Sequence, residues 1–292
     1  MTSARTAGGF ATGQLTVHRT PASIAPVTRA LRAAGRRVLL VPTMGALHEG
    51  HRELIRHARR VPGSTVIAVS IFVNPLQFGA GEDLERYPRP IETDLDACRA
   101  EGVELVFTPS VEDMYPADAD TTVTPGALAA ELEGTVRPGH FPGVLTVVSK
   151  LFHIVAPDVA FFGEKDYQQL VLVQKMVRDL DFFVSIIGVP IVREPDGLAL
   201  SSRNVYLSSH ERAGALVLQR ALKAGAGVSA HGAEAVLATA RAVLAEEPSV
   251  VVDYLELRAR DLGPAPLSGQ ARLLVAARVG PTRLIDNVAV RL

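Results

Sequence analysis

The sequence predicts an α/β fold: a doubly wound parallel sheet followed by a smaller α+β C-terminal domain. Three observations carry that expectation. Short apolar runs rich in Val, Ile and Leu alternate with helical periodicity over the first two thirds of the chain. One run, Thr65 to Val73, is apolar almost throughout, as expected of a strand covered on both faces. After Pro190 the pattern changes to a polar stretch, Ala-rich helices and three further strands. The boundary therefore falls near Ile191, giving domains 1–190 and 191–292.

Taken in order, residues 1–14 read as a loose tail and Leu15-Thr16-Val17 as a short strand. Pro21 to Ala34 reads as a helix stopped by Gly35. A strand at 37–41 leads through a loop to a helix at 51–61, closed by Pro62-Gly63. The strand 65–73 follows, then a helix from Ile91 to Glu101 and a strand over Leu105-Val106-Phe107. Val144 to Val155 is a long apolar helix ended by Pro157. Val159 to Phe162 is a strand, Asp166 to Leu180 a helix, and Phe183 to Val189 another strand. Alternation of this kind predicts a Rossmann-like sheet with right-handed crossovers. Beyond a polar segment at 191–208, helices fall near 209–226 and 232–246. Strands follow at Val250–Leu257, Arg272–Val279 and Arg283–Val290. No repeat or low-complexity tract interrupts the chain.

Composition narrows the function classes. The 292 residues are 48% hydrophobic with mean hydropathy +0.21, enough for a sizeable core. A net charge of -1 gives no bulk electrostatic case for nucleic acid or a membrane surface. No apolar run reaches the roughly 18 residues of a membrane span, and the first fifteen residues lack the apolar core of a signal peptide. A soluble, cytoplasmic protein is expected. The single Cys98 excludes an intrachain disulfide and reads as packing. Lysines are rare, only 150, 165, 175 and 223 against twenty-six arginines, so each is informative.

The stretch Val41-Pro42-Thr43-Met44-Gly45-Ala46-Leu47-His48-Glu49-Gly50-His51 joins a strand to a helix. Gly45 and Gly50 let backbone approach a ligand, and a helix N-terminus offers N–H groups to an anion. His48 and His51 stand at that helix start. The Gly45–Gly50 spacing matches a P-loop, but His51-Arg52 occupies the place of Lys-Ser/Thr. The two histidines also lack the i, i+4 spacing of a zinc-protease helix. A phosphate-handling turn, or two surface histidines beside an ordinary loop, remain as readings of these residues alone.

Three other stretches carry polar groups at chemically useful places. Asn74 and Gln77 follow the strand 65–73, where open α/β sheets bind ligands; Asn before Pro75 is also a plain turn former. Gly163-Glu164-Lys165-Asp166 joins a strand end to a helix start, with Asp166 also readable as an N-cap. Leu198-Ala199-Leu200-Ser201-Ser202-Arg203-Asn204 is a cationic loop that suits phosphates or mere surface.

Together these motifs resemble a known family. Pro42-Thr43-Met44-Gly45 with His48-x-Gly50-His51 resembles the HxGH signature of the nucleotidyltransferase superfamily related to class I aminoacyl-tRNA synthetases. Ser201-Ser202-Arg203-Asn204 is similar to its KMSKS-like loop. The set PTMGALHEGH, SIFVNPLQFG, FFGEKDYQQ and LSSRN, in that order, resembles the pantoate–β-alanine ligase family over nearly the whole chain. One departure is Leu200, where the family usually has Met.

The resemblance implies a ligase that makes an amide bond from (R)-pantoate and β-alanine through a pantoyl adenylate, releasing AMP and pyrophosphate. It implies ATP contacts from Pro42 through His51, from Gly163, Glu164, Lys165 and Asp166, from Val192, and from Leu200, Ser201, Ser202 and Arg203. His48, His51, Lys165, Ser201, Ser202 and Arg203 would supply donors to the triphosphate, His51 standing at the family's proton-donor position. Gln77 and Gln169 would hold pantoate, joined by Asn74, with Gln77 also near β-alanine. Mg2+ would enter with ATP, with Asp94 as one further contact or simply a helix residue. A homodimer is implied. A nucleotidyltransferase of the same superfamily that keeps the nucleotide on its product is the alternative.

Overall fold

A computed structural model describes residues 10–79, 81–82 and 84–292 of the chain. These residues divide into two compact units. One runs up to Gly163 and resumes over Leu172–Val189; the other takes Glu164–Val171 and Pro190–Leu292. The sequence reading places a single cut near Ile191. The segment 164–171 departs from that reading because its hydrogen-bond partners lie on late strands.

The first unit is a six-stranded sheet in the order β1-β4-β3-β2-β5-β6. Its strands are β1 (Thr16–His18), β2 (Arg37–Thr43), β3 (Thr65–Ile71), β4 (Leu105–Phe107), β5 (Val159–Gly163) and β6 (Ser185–Val189). Every pairing is parallel. The helices are α1 (Pro21–Ala33), α2 (Glu49–Arg59), α3 (Ile91–Ala100), α4 (Val111–Met114), α5 (Glu133–Val136), α6 (His140–Val155) and α7 (Tyr167–Asp179), the first turn of α7 belonging to the other unit. β2 and β3 pair over seven residues, and Val38 to Val41 have no exposed surface. That double-sided burial is why these strands read as continuous apolar runs rather than alternating ones. On one face Leu54, Ile55 and Ala58 of α2 and Leu95 and Cys98 of α3 pack against Leu39, Val41, Ile67 and Val69.

From β2 the chain winds outward through β3 and β4, then returns to β5 on the other flank of β2. The winding direction reverses between β2 and β5, the place where open α/β sheets bind ligands beyond the carboxyl ends of the strands. Thr43 and Gly163 mark those ends.

The second unit carries α8 (Ser209–Gly227), α9 (Ala233–Leu244) and an antiparallel sheet β7 (Val250–Ala259), β8 (Gln270–Val279), β9 (Thr282–Arg291), in that order. Leu218, Leu222, Val236 and Leu244 from the helices pack on Leu273, Val275 and Ala277 of β8. Residues of a strand alternate between faces, so Arg272, Leu274 and Ala276 lie on the opposite one, and they too are buried.

Several boundaries differ from the sequence reading. α2 starts at Glu49, two residues early, because His48 caps it. α6 starts at His140 rather than Val144; Pro142 lies in its first turn, where a missing N–H costs nothing. The strand expected to Val73 stops at Ile71, and the helix expected from Asp166 is a 3-10 turn over Glu164–Asp166 followed by α7. No helix among the described residues is long and apolar enough to cross a membrane.

Candidate active site

The loop after β2 is built on its own side chains and one buried acid. Gly45 (φ +85°) and Ala46 (φ +50°) both take the left-handed region, which reverses the chain. Thr43 Oγ1 donates to the Ser70 carbonyl at 2.8 Å and accepts from Gly45 N at 3.2 Å. Asp94, 1% exposed on α3, accepts from Ala46 N at 2.9 Å and Leu47 N at 2.7 Å. A Cβ at Gly45 would lie 2.9 Å from Asp94 Oδ2, so only glycine lets the loop settle on the carboxylate. Burial pushes the Asp94 pKa up, and the two backbone donors pull against that shift. Of the two roles left open for Asp94, the geometry supplies one within the protein: each oxygen takes one backbone N–H and holds the loop. Among the described residues no group of three or more acidic, His or Cys side chains could hold a metal ion.

His48 and His51 cap α2 reciprocally. His48 Nδ1 accepts from Gly50 N at 3.1 Å, and His51 Nδ1 accepts from His48 N at 3.3 Å. The rings lie 4.0 Å apart, centroid to centroid, tilted by 34°. A ring nitrogen that accepts carries no proton, so each neutral imidazole holds its proton on Nε2. The pair thus carries two Nε2–H donors. His51 N and Arg52 N both donate to the His48 carbonyl. These backbone N–H groups are therefore engaged within the cap itself. Glu49 points to the arginines of its own helix, pairing with Arg56. Arg52 and Arg56 also reach Glu101 at 2.7 and 2.8 Å, which fastens α2 to the end of α3.

The turn after β3 places Gln77 and explains Asn74. Asn74 Oδ1 accepts from Tyr115 Oη at 2.8 Å and Leu76 N at 3.3 Å. Its Nδ2 donates to Gln77 Oε1 and to the Gly143 carbonyl, both at 3.1 Å. Two donated and two accepted bonds fill the capacity of an amide. Asn74, expected beside pantoate, is the post that orients Gln77, whose Nε2 meets Met44 Sδ at 2.9 Å. Burial pushes the Tyr115 phenol well above its ordinary range, so it stays a donor. The Gln77 carbonyl is held by His140 Nδ1 at 2.8 Å and Arg137 Nη2 at 3.4 Å. A Cβ on Gly143 would stand 2.1 Å from the Leu76 carbonyl, so α6 reaches this turn only through glycine. Sequence reasoning missed Tyr115, Arg137, His140 and Gly143. A glycine inside an otherwise apolar helix was the available signal.

In the second unit, Lys165 and Gln169 are half-buried and Asp166 is exposed. Asp166 lies within the 3-10 turn that precedes α7. Asn287 Nδ2 donates to the Glu164 and Lys165 carbonyls at 2.9 and 3.0 Å, and Arg272 Nη2 reaches Glu164 Oε2 at 2.8 Å. The other phosphate loop of the sequence reading is also built here. Leu200 N donates to the Val192 carbonyl at 3.0 Å, so the backbone at the unusual Leu200 is bonded without help from a thioether. Ser201 Oγ accepts from Arg203 N at 3.2 Å and caps the 3-10 turn Ser202–Tyr206. Asn204 ties that turn to Glu194 Oε1 at 2.7 Å, and Arg212 holds Glu194 from behind at 2.6 Å. Arg193 is clamped by Asp286 through two bonds of 2.7 and 2.9 Å.

The family model described as pantoate-beta-alanine ligase matches residues 16–289. The chain belongs to the pantoate–β-alanine ligase family. A protein of Saccharopolyspora erythraea named pantothenate synthetase is 66% identical over 284 residues, covering 97% of this chain and 94% of its own. The solved pantothenate synthetase of Thermus thermophilus superposes with a TM-score of 0.85 at 48% identity, covering 94% of this chain and 99% of its own. The pantoate–β-alanine ligase of Francisella tularensis, solved with β,γ-ATP and β-alanine, gives a TM-score of 0.77 at 33% identity, over 94% and 97% of the two chains. These ligases set aside the nucleotide-retaining transferase considered from the sequence.

Proposed function

We propose that this ligase condenses (R)-pantoate with β-alanine in an ATP-driven reaction, releasing AMP and pyrophosphate. The observation that carries the reading is the reciprocal histidine cap at the β2 end of the sheet, in a chain of this family. A pantoate carboxylate oxygen attacks the α-phosphorus, and the bond to the β-phosphate bridge breaks to free pyrophosphate. The β-alanine nitrogen then attacks the pantoyl carbonyl carbon, the C–O bond to AMP breaks, and the nitrogen gives up a proton. Neither step needs a protein nucleophile; both need positioning and charge stabilisation.

Roles follow from that chemistry. His48 and His51 donate through Nε2–H to phosphate oxygens, which makes His51 a stabiliser of charge rather than a strong acid. Lys165 and Arg203 supply positive charge, and Ser201 and Ser202 supply hydroxyl donors. The backbone around Met44, Gly163, Val192 and Leu200 accommodates the nucleotide. Gln77 and Gln169 bind pantoate, with Gln77 adjacent to β-alanine. Mg2+ suits this donor set as an ion brought in on the phosphates, because it keeps waters and needs few protein ligands. Bound there, it would offset phosphate charge. The active species is taken to be a cytoplasmic homodimer.

Heavy-oxygen label in the pantoate carboxylate tests the route. The adenylate path carries label into AMP, and only when β-alanine completes the turnover. ADP with labelled inorganic phosphate, or unlabelled AMP after full turnover, would overturn it.

A further inference from the structure

We propose that Asn287, oriented by Arg272, is a positioning residue for Lys165 in adenylate formation. The inference rests on the functional reading above and extends it to two residues far from every motif.

Asn287 sits on β9, 3% exposed, and Arg272 on β8, 8% exposed, so both polar side chains are buried. Arg272 Nε donates to Asn287 Oδ1 at 2.7 Å. A guanidinium can only donate, so the amide oxygen must face it and the NH2 must face the other way. There it meets the Glu164 and Lys165 carbonyls. Arg272 is itself fixed twice over. Its Nη2 bonds Glu164 Oε2, and its guanidinium carbon lies 4.1 Å from the centroid of the Tyr167 ring. Tyr167 Oη in turn donates to the Arg260 carbonyl at 2.9 Å.

The bonds close a ring: Arg272 to Asn287, Asn287 to the 164–165 backbone, and the Glu164 side chain back to Arg272. A 3-10 turn of three residues has little hold on its own position. The ring supplies that hold, and it grips the two peptide carbonyls that bracket the Lys165 Cα. The Lys165 ammonium extends from this anchored point on a flexible stem, so the anchor sets where it can reach.

The test uses the full-length enzyme with two readouts. One is single-turnover release of pyrophosphate from ATP and pantoate. The other is the lysine signals of protein whose four lysines are 13C-methylated, assigned by Lys→Arg substitutions. Asn287→Asp keeps the acceptor for Arg272 but replaces the donor with a charge that repels both carbonyls. Pyrophosphate release should fall roughly tenfold to a hundredfold, as for a displaced reacting group. The pantoate KM should stay within about twofold, because no pantoate contact is removed. The Lys165 signal should move while those of Lys150, Lys175 and Lys223 do not. Arg272→Lys, which loses the Nε–Nη fork, should act in the same direction and serves if Asn287→Asp does not fold. An unchanged rate, or a slowed rate with an unmoved Lys165 signal, overturns the proposal. If the unsubstituted enzyme releases no pyrophosphate, the functional reading fails, and the Lys165 signal alone then decides this one.

Discussion

Asp94 receives the N–H groups of Ala46 and Leu47 on its two oxygens, so one buried carboxylate shapes the loop that carries both histidines. Asp94→Asn keeps the volume but turns an NH2 toward one of those donors. The substitution should cost about 1–3 kcal/mol of folding stability through the unsatisfied N–H. It should also raise the ATP KM, with no change in the Mg2+ concentration needed for half-activity. Chemical denaturation and a Mg2+ titration check both parts; activity regained at high Mg2+ would return Asp94 to the metal.

Lys165→Ala should leave the fold intact and slow adenylate formation by two to three orders of magnitude. That corresponds to about 3–4 kcal/mol of lost transition-state stabilisation. Pyrophosphate release by the folded variant at the unsubstituted rate would remove Lys165 from the reaction.

Gly163 closes β5 in ordinary extended backbone, and a Cβ there meets no protein atom within 4 Å. Packing therefore does not require glycine at this position. Gly163→Ala should fold with near-unchanged stability and weaken ATP by roughly tenfold, if nucleotide lies against that backbone. Calorimetry with ATP measures it; undiminished affinity would place the nucleotide elsewhere.

Glu101 gives a pH dependence. Burial pushes its pKa up, but Arg56 and Arg52 together outweigh that and hold it below the ordinary 4.5. A depressed carboxylate pKa adds stability that is complete above 4.5 and is lost as pH falls through the lower folded value. Urea midpoints of the native protein and Glu101→Gln should therefore differ at about pH 7 and converge toward about pH 3. A gap that stays constant across that range would contradict the pairing.

Much of this was legible from residue order alone. Doubly buried strands such as Thr65–Ile71 announce themselves because no polar alternation is tolerated on a sheet covered on both sides. The motifs around His48, Lys165 and Ser201 marked strand-to-helix joints and a polar loop. Partnership was not legible. Nothing local ties Asp94 to Ala46, or Asn287 to Lys165, because such bonds join residues 48 and 122 positions apart. Asn74 shows the same limit: the sequence offers an amide at a strand end, while its partners Tyr115 and Gly143 lie 41 and 69 positions away.

The assignment of residues 164–171 to the C-terminal unit bears on how this enzyme can be inherited. The chain passes between units at 163/164, 171/172 and 189/190, so no single crossover exchanges one unit intact. A recombinant joined at residue 190 would couple one parent's Lys165 segment to the other parent's Arg272 and Asn287. Substitutions at 164–167, 272 and 287 should therefore travel together through descent, although more than a hundred residues separate them.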